Sequence, residues 1–336
     1  MLKKLALVFV LLGAILAGGV GWAYLQVKAS IDQPVAQLEE PYLTVRPGTT
    51  FRGLIYQLTQ MGVIAESPWT RWVGRIDPTL ARIKAGTYSI EQARTLRDVL
   101  VTVASGKEYQ FSITLLEGDR FTDWLNELEN APMLKHETAQ MTEADIAKAI
   151  GADVDKLEGY LLPETYHYTA GTSDLALLKR AYGHMTQLLG SAWEDRDASI
   201  PLKNPYEVLI MASIIEKETA VDEERAKVSS VFMNRLHKGM RLQTDPTVIY
   251  GMGDKFDGNI RRKDLRTPTP YNTYTIFGLP PTPIAMPSAA SVLAAVKPAQ
   301  TNYYYFVADG KGGHTFSKTL SEHNRAVRQY LKILKQ

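Results

Sequence analysis

The stretch "NPYEVLIMASIIEKET", Asn204 to Thr219, decides how the rest of the chain reads. It opens as a helix start, with Asn204 as N-cap, Pro205 at the first helical position and Glu207 at the third, a capping-box arrangement. From Val208 to Ile215 every residue except Ser213 is apolar. A helix with no polar face is buried on all sides. This buried run passes directly into Glu216, Lys217 and Glu218. Such carboxylates are either a solvated helix end or part of a site. The two point about 200° apart around a helix, so only one of them can face a given cleft. Loss of water raises the pKa of a carboxyl in a cleft. A Glu held protonated near neutral pH is what a general acid requires.

The surrounding chain is a mixture of helices and short strands, an α+β pattern. Downstream, "DEERAKVSSVFMNRLHKG" (222–239) predicts a helix with acids in its first turn, Lys238 in its last and Gly239 beyond it, matched to the helix dipole. Upstream, "SDLALLKRAYGHMTQLL" (173–189) is amphipathic, and "SEHNRAVRQYLKILK" (321–335) closes the chain with another helix. Residues 42–108 form a smaller unit. "YLTV" and "AGTYSI" read as strands, Thr50 caps a helix from Phe51 to about Met61, and Thr95 caps one ending at Gly106. Ser67-Pro68 predicts a short helix between them, with Ser67 as N-cap. Residues 109–150 read as a connecting region with one strand in "YQFSITLLEG" and one helix in "RFTDWLNELEN".

The N-terminus bears on location. "LALVFVLLGAILAGGVGWAYLQV", Leu5 to Val27, carries no charge and is long enough for a bilayer, which takes roughly 20 residues. Lys3 and Lys4 precede it, while Asp32, Glu39 and Glu40 follow, so the positive-inside bias leaves residues 1–4 in the cytoplasm and the body outside. The alternative is a cleaved signal peptide, whose apolar region would be unusually long. Residues 28–41 are polar and unpatterned and read as a tether.

Composition removes several classes. The 38 basic and 36 acidic residues leave a net charge of +2, without the basic excess of a nucleic-acid binder. No cysteine is present, which removes disulfides, thiolate metal sites and a thiol nucleophile. There is no HExxH, Walker A or GxSxG motif. "ADGKGGHT" (308–315) reads as a tight hairpin turn, and the scattered histidines, His314 and His323 among them, as surface or packing residues. No metal or other cofactor is expected.

Two stretches, "RLQTDPTVIYG" (241–251) and "TPYNTYTIFGLPP" (269–281), read as loops rich in amide, hydroxyl and aromatic side chains: Gln243, Thr244, Asp245, Tyr250, Tyr271, Asn272, Thr273 and Tyr274. Sugars are held by such a mixture. The same composition also suits a loop that merely packs on the domain.

Four segments in order, "ASIIEKETAVDEERAKVSSVFMNRL", "MRLQTDPTVIYGMG", "TPYNTYTIFGLPPTPIAMPSAASVLAAVKPA" and "YYYFVADGKGGHTFSKTLSEHN", resemble the endolytic murein transglycosylase (YceG-like) family. "RPGTTFRGLIYQL" and "IKAGTYSI" resemble, more loosely, that family's LysM-type subdomain. The resemblance implies an anchor over 5–27, a tether over 28–41, a LysM-like unit over 42–108 and a catalytic domain over 109–336. It implies a lyase of the cell wall that cleaves the β-1,4 bond between N-acetylmuramic acid and N-acetylglucosamine within peptidoglycan strands, leaving 1,6-anhydro-muramyl ends and terminating strand growth. Glu218 is then the catalytic acid, Glu216 a supporting neighbour, and the eight loop residues candidates for substrate binding. Asp245 is the candidate for a second acid, read as a hydrogen-bonder to substrate or loop, with a water-activating base as the alternative. Peptidoglycan, the bacterial inner membrane and peptidoglycan synthases are the expected partners. Two other readings stand beside this one: a two-carboxylate hydrolase using Glu218 and Asp245, and a non-catalytic glycan-binding scaffold.

Overall fold

The computed structural model describes residues 2–334 of the 336. The chain divides into two compact units, residues 1–111 with 168–170, and residues 112–167 with 171–336.

The first unit starts with α1 (Leu2–Ile31), a helix long and apolar enough to cross a membrane. Strand β1 (Tyr42–Val45) leads to α2 (Phe51–Gln60), capped by the Thr50 hydroxyl, which accepts from Gly53 N–H. A single 3₁₀ turn over Thr70–Trp72 runs into the short α3 (Val73–Ile76). Strand β2 (Gly86–Ser89) pairs antiparallel with β1, Leu43 opposite Tyr88, and α4 (Leu96–Ser105) follows with a full Thr95–Asp98 capping box and Gly106 at φ 71°. Leu43, Leu54, Leu58, Tyr88, Leu96 and Leu100 fill the core between the two-stranded sheet and the helices.

Two details depart from the sequence reading. Ser67 does not cap a helix at Pro68. Its hydroxyl accepts from Trp69 N–H two residues on, a local turn that delays the helix by several residues. Residues 28–41, expected as a tether, carry ordered contacts. Helix α1 continues to Ile31, with Val27 and Ile31 buried in the same core. Beyond it Val35 N–H bonds Arg94 C=O, and Arg97 pairs with Asp32 at 2.8 Å. The polar composition around it hid Ile31, which seats the helix end together with Val27.

Strand β3 (Phe111–Leu115) pairs with β4 (Glu164–Tyr168), and both strands belong to the second unit except for the end residues Phe111 and Tyr168. Between them come α5 (Phe121–Glu129) and α6 (Glu143–Ile150). The chain here is more than a connection: Phe121, Trp124 and Leu128 are buried, and Gly118 and Asp119 exchange backbone hydrogen bonds with Met286. Helix α6 has its own capping box, Thr142 with Asp145, and its left-handed Gly151, local signals that the sequence reading passed over.

Four helices then build the main core: α7 (Asp174–Glu194), α8 (Pro205–Glu218), α9 (Asp222–His237) and, later, α11 (Ala289–Val296). Helix α8 is their axis and packs against each of the other three. Every residue from Val208 to Ile215 is buried, as the unbroken apolar run predicts. Its one polar member, Ser213, donates to Ile210 C=O at 2.8 Å and accepts from Ile284 N–H at 3.0 Å, so this buried hydroxyl is matched. Between α9 and α11 the expected loop holds α10 (Asp245–Met252), with Pro246 in its first turn. The hairpin read from "ADGKGGHT" is present, joining β5 (Tyr305–Ala308) to β6 (His314–Ser317), and α12 (Leu320–Ile333) ends the unit.

Candidate active site

Glu216 and Glu218 close the last turn of α8 and have separate surroundings. Glu216 is turned inward. Its Oε2 accepts from the backbone N–H of Ser288 at 2.8 Å and from the Ser288 hydroxyl, and its Oε1 faces Arg225 Nη2 at 3.4 Å. Arg225 is itself buried and reaches Ser291 through Nε. Ser288 is the N-cap of α11, so this cluster fixes the end of α8 to the start of α9 and of α11.

Glu218 opens instead into a cavity of about 340 Å³, lined also by Arg235, Gln243, Asp245, Tyr274, Tyr305 and His323, with Phe232, Leu242, Phe306 and Leu320 as apolar wall. Its Oε1 accepts from the Thr244 hydroxyl. Burial pushes its pKa up to about 7. The Asp245 charge adds to the rise, while the Thr244 hydrogen bond, His314 and Arg235 oppose it. Near neutral pH the carboxyl therefore exists in both forms, and a group that can both give and take a proton is available at one point in the cavity.

The walls are held by backbone geometry and a knot of threonines. Thr244 N–H bonds the Thr273 hydroxyl at 3.1 Å, Thr247 donates to Thr244 C=O at 2.8 Å, and the hydroxyls of Thr247 and Thr273 are 2.9 Å apart. Gln243 sits at φ 54°, an unusual conformation for a residue with a side chain, and its N–H bonds Thr273 C=O at 3.2 Å. Asp245, at the first position of α10, accepts from the Tyr274 hydroxyl at 2.5 Å. Arg235 is held by the carbonyls of Tyr304 (2.6 Å) and Leu242 (2.8 Å), and its guanidinium lies 5.1 Å from the Tyr305 ring centre. Burial pulls its pKa down.

The eight loop residues thus fall into three places. Gln243, Asp245 and Tyr274 line the cavity with Glu218, and Thr244 binds that carboxylate directly. Thr273 and Asn272 are fully buried behind it. Asn272 accepts from Tyr274 N–H and donates to the carbonyls of Asp264 and Thr267, which shapes the loop. Tyr250 and Tyr271 face elsewhere, with rings 5.0 Å apart and Tyr250 donating to Glu158 at 3.2 Å.

Glu158 is buried, also accepts from Phe121 N–H at 3.1 Å, and is likewise pushed up to about 7 by burial. The sequence reading missed it, and missed Arg235, Tyr305 and His323. A basic residue within the otherwise buried stretch Val228–Arg235 was the one local sign that Arg235 points inward. His323 gave none, since it reaches the cavity from α12 by tertiary packing, its ring stacked 5.2 Å from Tyr305. Among the described residues no group of three or more His, Cys, Asp or Glu is arranged to hold a metal ion.

The model of the YceG-like family matches residues 43–329. The chain belongs to that family. It is 34% identical over 276 residues to the endolytic murein transglycosylase of Bacillus subtilis strain 168, an alignment covering 74% of this chain and 73% of the relative. It is 32% identical over 184 residues to the endolytic murein transglycosylase of Streptococcus pneumoniae D39, covering 52% of this chain and 32% of that longer protein. Among solved structures, a YceG-like protein of Listeria monocytogenes superposes with a TM-score of 0.53 at 29% identity, over 84% of this chain and 98% of that one. The family match starts beyond α1, covers residues of both units and includes every residue lining the cavity.

Proposed function

We propose that this YceG-like chain is a membrane-anchored endolytic lytic transglycosylase and that Glu218 is its acid and base. The observation that carries the reading is a single carboxyl, pushed up to about 7 by burial and oriented by Thr244, in a cavity whose other carboxylate is occupied by Tyr274.

The chemistry suits one proton carrier. Protonated Glu218 gives its proton to the glycosidic oxygen between N-acetylmuramic acid and N-acetylglucosamine as positive charge develops at the sugar C1. Ionised Glu218 then takes the proton from the muramic C6 hydroxyl, which closes on C1 of the same sugar and leaves a 1,6-anhydro end. The nucleophile is already attached to the reacting ring, so no water has to be positioned or activated. Gln243, Tyr274 and Arg235 offer the polar contacts that orient a sugar. Cleavage within a strand in this way terminates its growth.

The apolar stretch of α1, with Lys3 and Lys4 in the first turn of the helix, supports insertion in the bacterial inner membrane, with the body outside. The unit over residues 42–108 is LysM-like in this reading. Work beside the membrane implies contact with peptidoglycan synthases. Absence of any synthase from material co-purified at native abundance would count against that contact.

The deciding experiment is mass spectrometry of peptidoglycan treated with the full-length chain and with Glu218→Gln. Anhydro-muramyl ends from the first and none from the second are expected. Reducing muramic ends would instead identify a hydrolase using Asp245, and intact glycan with both, on uncross-linked substrate, a non-catalytic scaffold.

A further inference from the structure

Helix α1 and the segment that follows α2 meet at two tryptophans. The rings of Trp22 and Trp69 are 5.4 Å apart, edge to face. Trp22 is 17 residues beyond Leu5, about 26 Å along a helix, which is close to the far edge of a hydrocarbon layer of about 30 Å. Whatever touches Trp22 therefore stands at the membrane–water boundary. Trp69 precedes the 3₁₀ turn and α3, and these carry a buried side and an exposed side. Thr70 and Val73 are buried in the core of the unit. Trp72 and Ile76, in helical register with Trp69, are 37% and 40% exposed. Arg71 and Arg75 flank Trp72, with their guanidiniums 5.9 and 4.5 Å from its ring centre. The nearby Asp77 carboxylate is engaged by the Thr79 hydroxyl and N–H.

We propose that the Trp69–Ile76 face is a membrane-docking surface. Trp72 and Ile76 enter the headgroup layer, and Arg71 and Arg75 bind lipid phosphate beside them. The proposal rests on the reading of α1 as a membrane span. Three observations support it. The face is continuous with α1 itself through Trp22. Its composition, tryptophan and an aliphatic side chain flanked by arginines, is that of segments lying in the interface. The chain has no slack between helix and unit: Val27 and Ile31 of α1 are part of the core of the unit, Arg97 holds Asp32, and Leu96 N–H bonds Gln33 C=O at 3.0 Å. A unit so joined is held at the bilayer, and α3 is the part in contact with the helix near its exit. Docking would set the first unit at a fixed height on the membrane.

The cysteine-free sequence makes the test clean. Single-cysteine variants Ala14→Cys and Ile76→Cys of the full chain are nitroxide-labelled and reconstituted in vesicles of phosphatidylcholine with phosphatidylglycerol. Accessibility of each label to oxygen and to a water-soluble nickel chelate gives its depth. Docking is supported if the label at 14 is in hydrocarbon, the label at 76 is at headgroup depth, and Arg71→Ser with Arg75→Ser raises chelate accessibility at 76 at least twofold without moving 14. A label at 14 in hydrocarbon with one at 76 as open to the chelate as a freely exposed helix site would overturn docking and leave the anchor standing. A label at 14 in water would overturn the anchor, and the docking with it. Circular dichroism of each variant checks that the unit is folded.

Discussion

Glu216 and Glu218 stand two residues apart on one helical turn and belong to different chemistries. Glu216 is locked between Ser288 and Arg225, while Glu218 opens into the cavity with only Thr244 bound to it. The geometry of α8 produces the division, since residues two apart lie on nearly opposite faces. One face meets the start of α11, and the other the start of α10.

Glu218→Gln keeps the shape of the side chain and removes its proton. Glycan cleavage is expected to fall 10²–10⁴-fold, with the thermal melt retained. Equal loss of melting temperature and activity in calorimetry and product assays would point to a folding role instead.

The pH dependence follows from the same group. The first proton transfer needs protonated Glu218, so kcat/KM is expected to fall as pH rises through about 7. Asp245 raises that value, so Asp245→Asn is expected to move the alkaline limb to lower pH. The Thr244 hydrogen bond lowers it, so Thr244→Val is expected to move the limb to higher pH and to reduce kcat about tenfold through lost orientation. Profiles of all three proteins that coincide would remove Glu218 from the rate-limiting proton transfer.

Glu216→Ala takes away one of the two carboxylates on the buried Arg225 guanidinium and leaves it with Asp222, which is largely exposed. A buried charge left with no partner costs about 3–5 kcal/mol; with Asp222 still engaged, denaturant unfolding is expected to show a smaller drop, about 1–3 kcal/mol. The same substitution is expected to lower activity only as far as it loosens the end of α8. A stability change below about 1 kcal/mol would mean that Asp222 and water satisfy Arg225 without Glu216.

Glu158 predicts a stability that depends on pH. Its pKa in the fold, about 7, lies above the ordinary 4.5. The unfolded chain therefore loses its proton first. Stability declines as pH rises from about 4.5 to about 7, by on the order of 3 kcal/mol, and is then level with respect to this group. Glu158→Gln is expected to flatten that decline in urea unfolding series at pH 5 and pH 8. An unchanged slope would show that the carboxyl is already hydrated.

Some of this was open to a reading of residues alone. The unbroken apolar run from Val208 to Ile215 predicts a helix buried all round, and the capping signals at Thr50, Thr95 and Asn204 mark helix starts that the structure has. Those features are local: a cap forms within three residues, and a helix with no polar face has nowhere to go but inside. Helix α10 was hidden because Pro246 and the mixed Thr, Tyr and Asp composition look like loop, although proline in a first turn is a helix start.

The sequence by itself determined the apolar N-terminal helix, the buried axis α8 and the placing of two carboxylates at its end, because periodicity and capping depend on neighbours along the chain. Only the tertiary structure decided which carboxylate faces the cavity and which is locked away. It also decided that Arg235, Tyr305 and His323 share the cavity with Glu218, and that Tyr250 and Tyr271 gather near Glu158 instead. Those outcomes depend on how α9, α10, β5 and α12 pack around α8. Desolvation, which pushes Glu218 up to about 7, is a property of that packing and of no single segment.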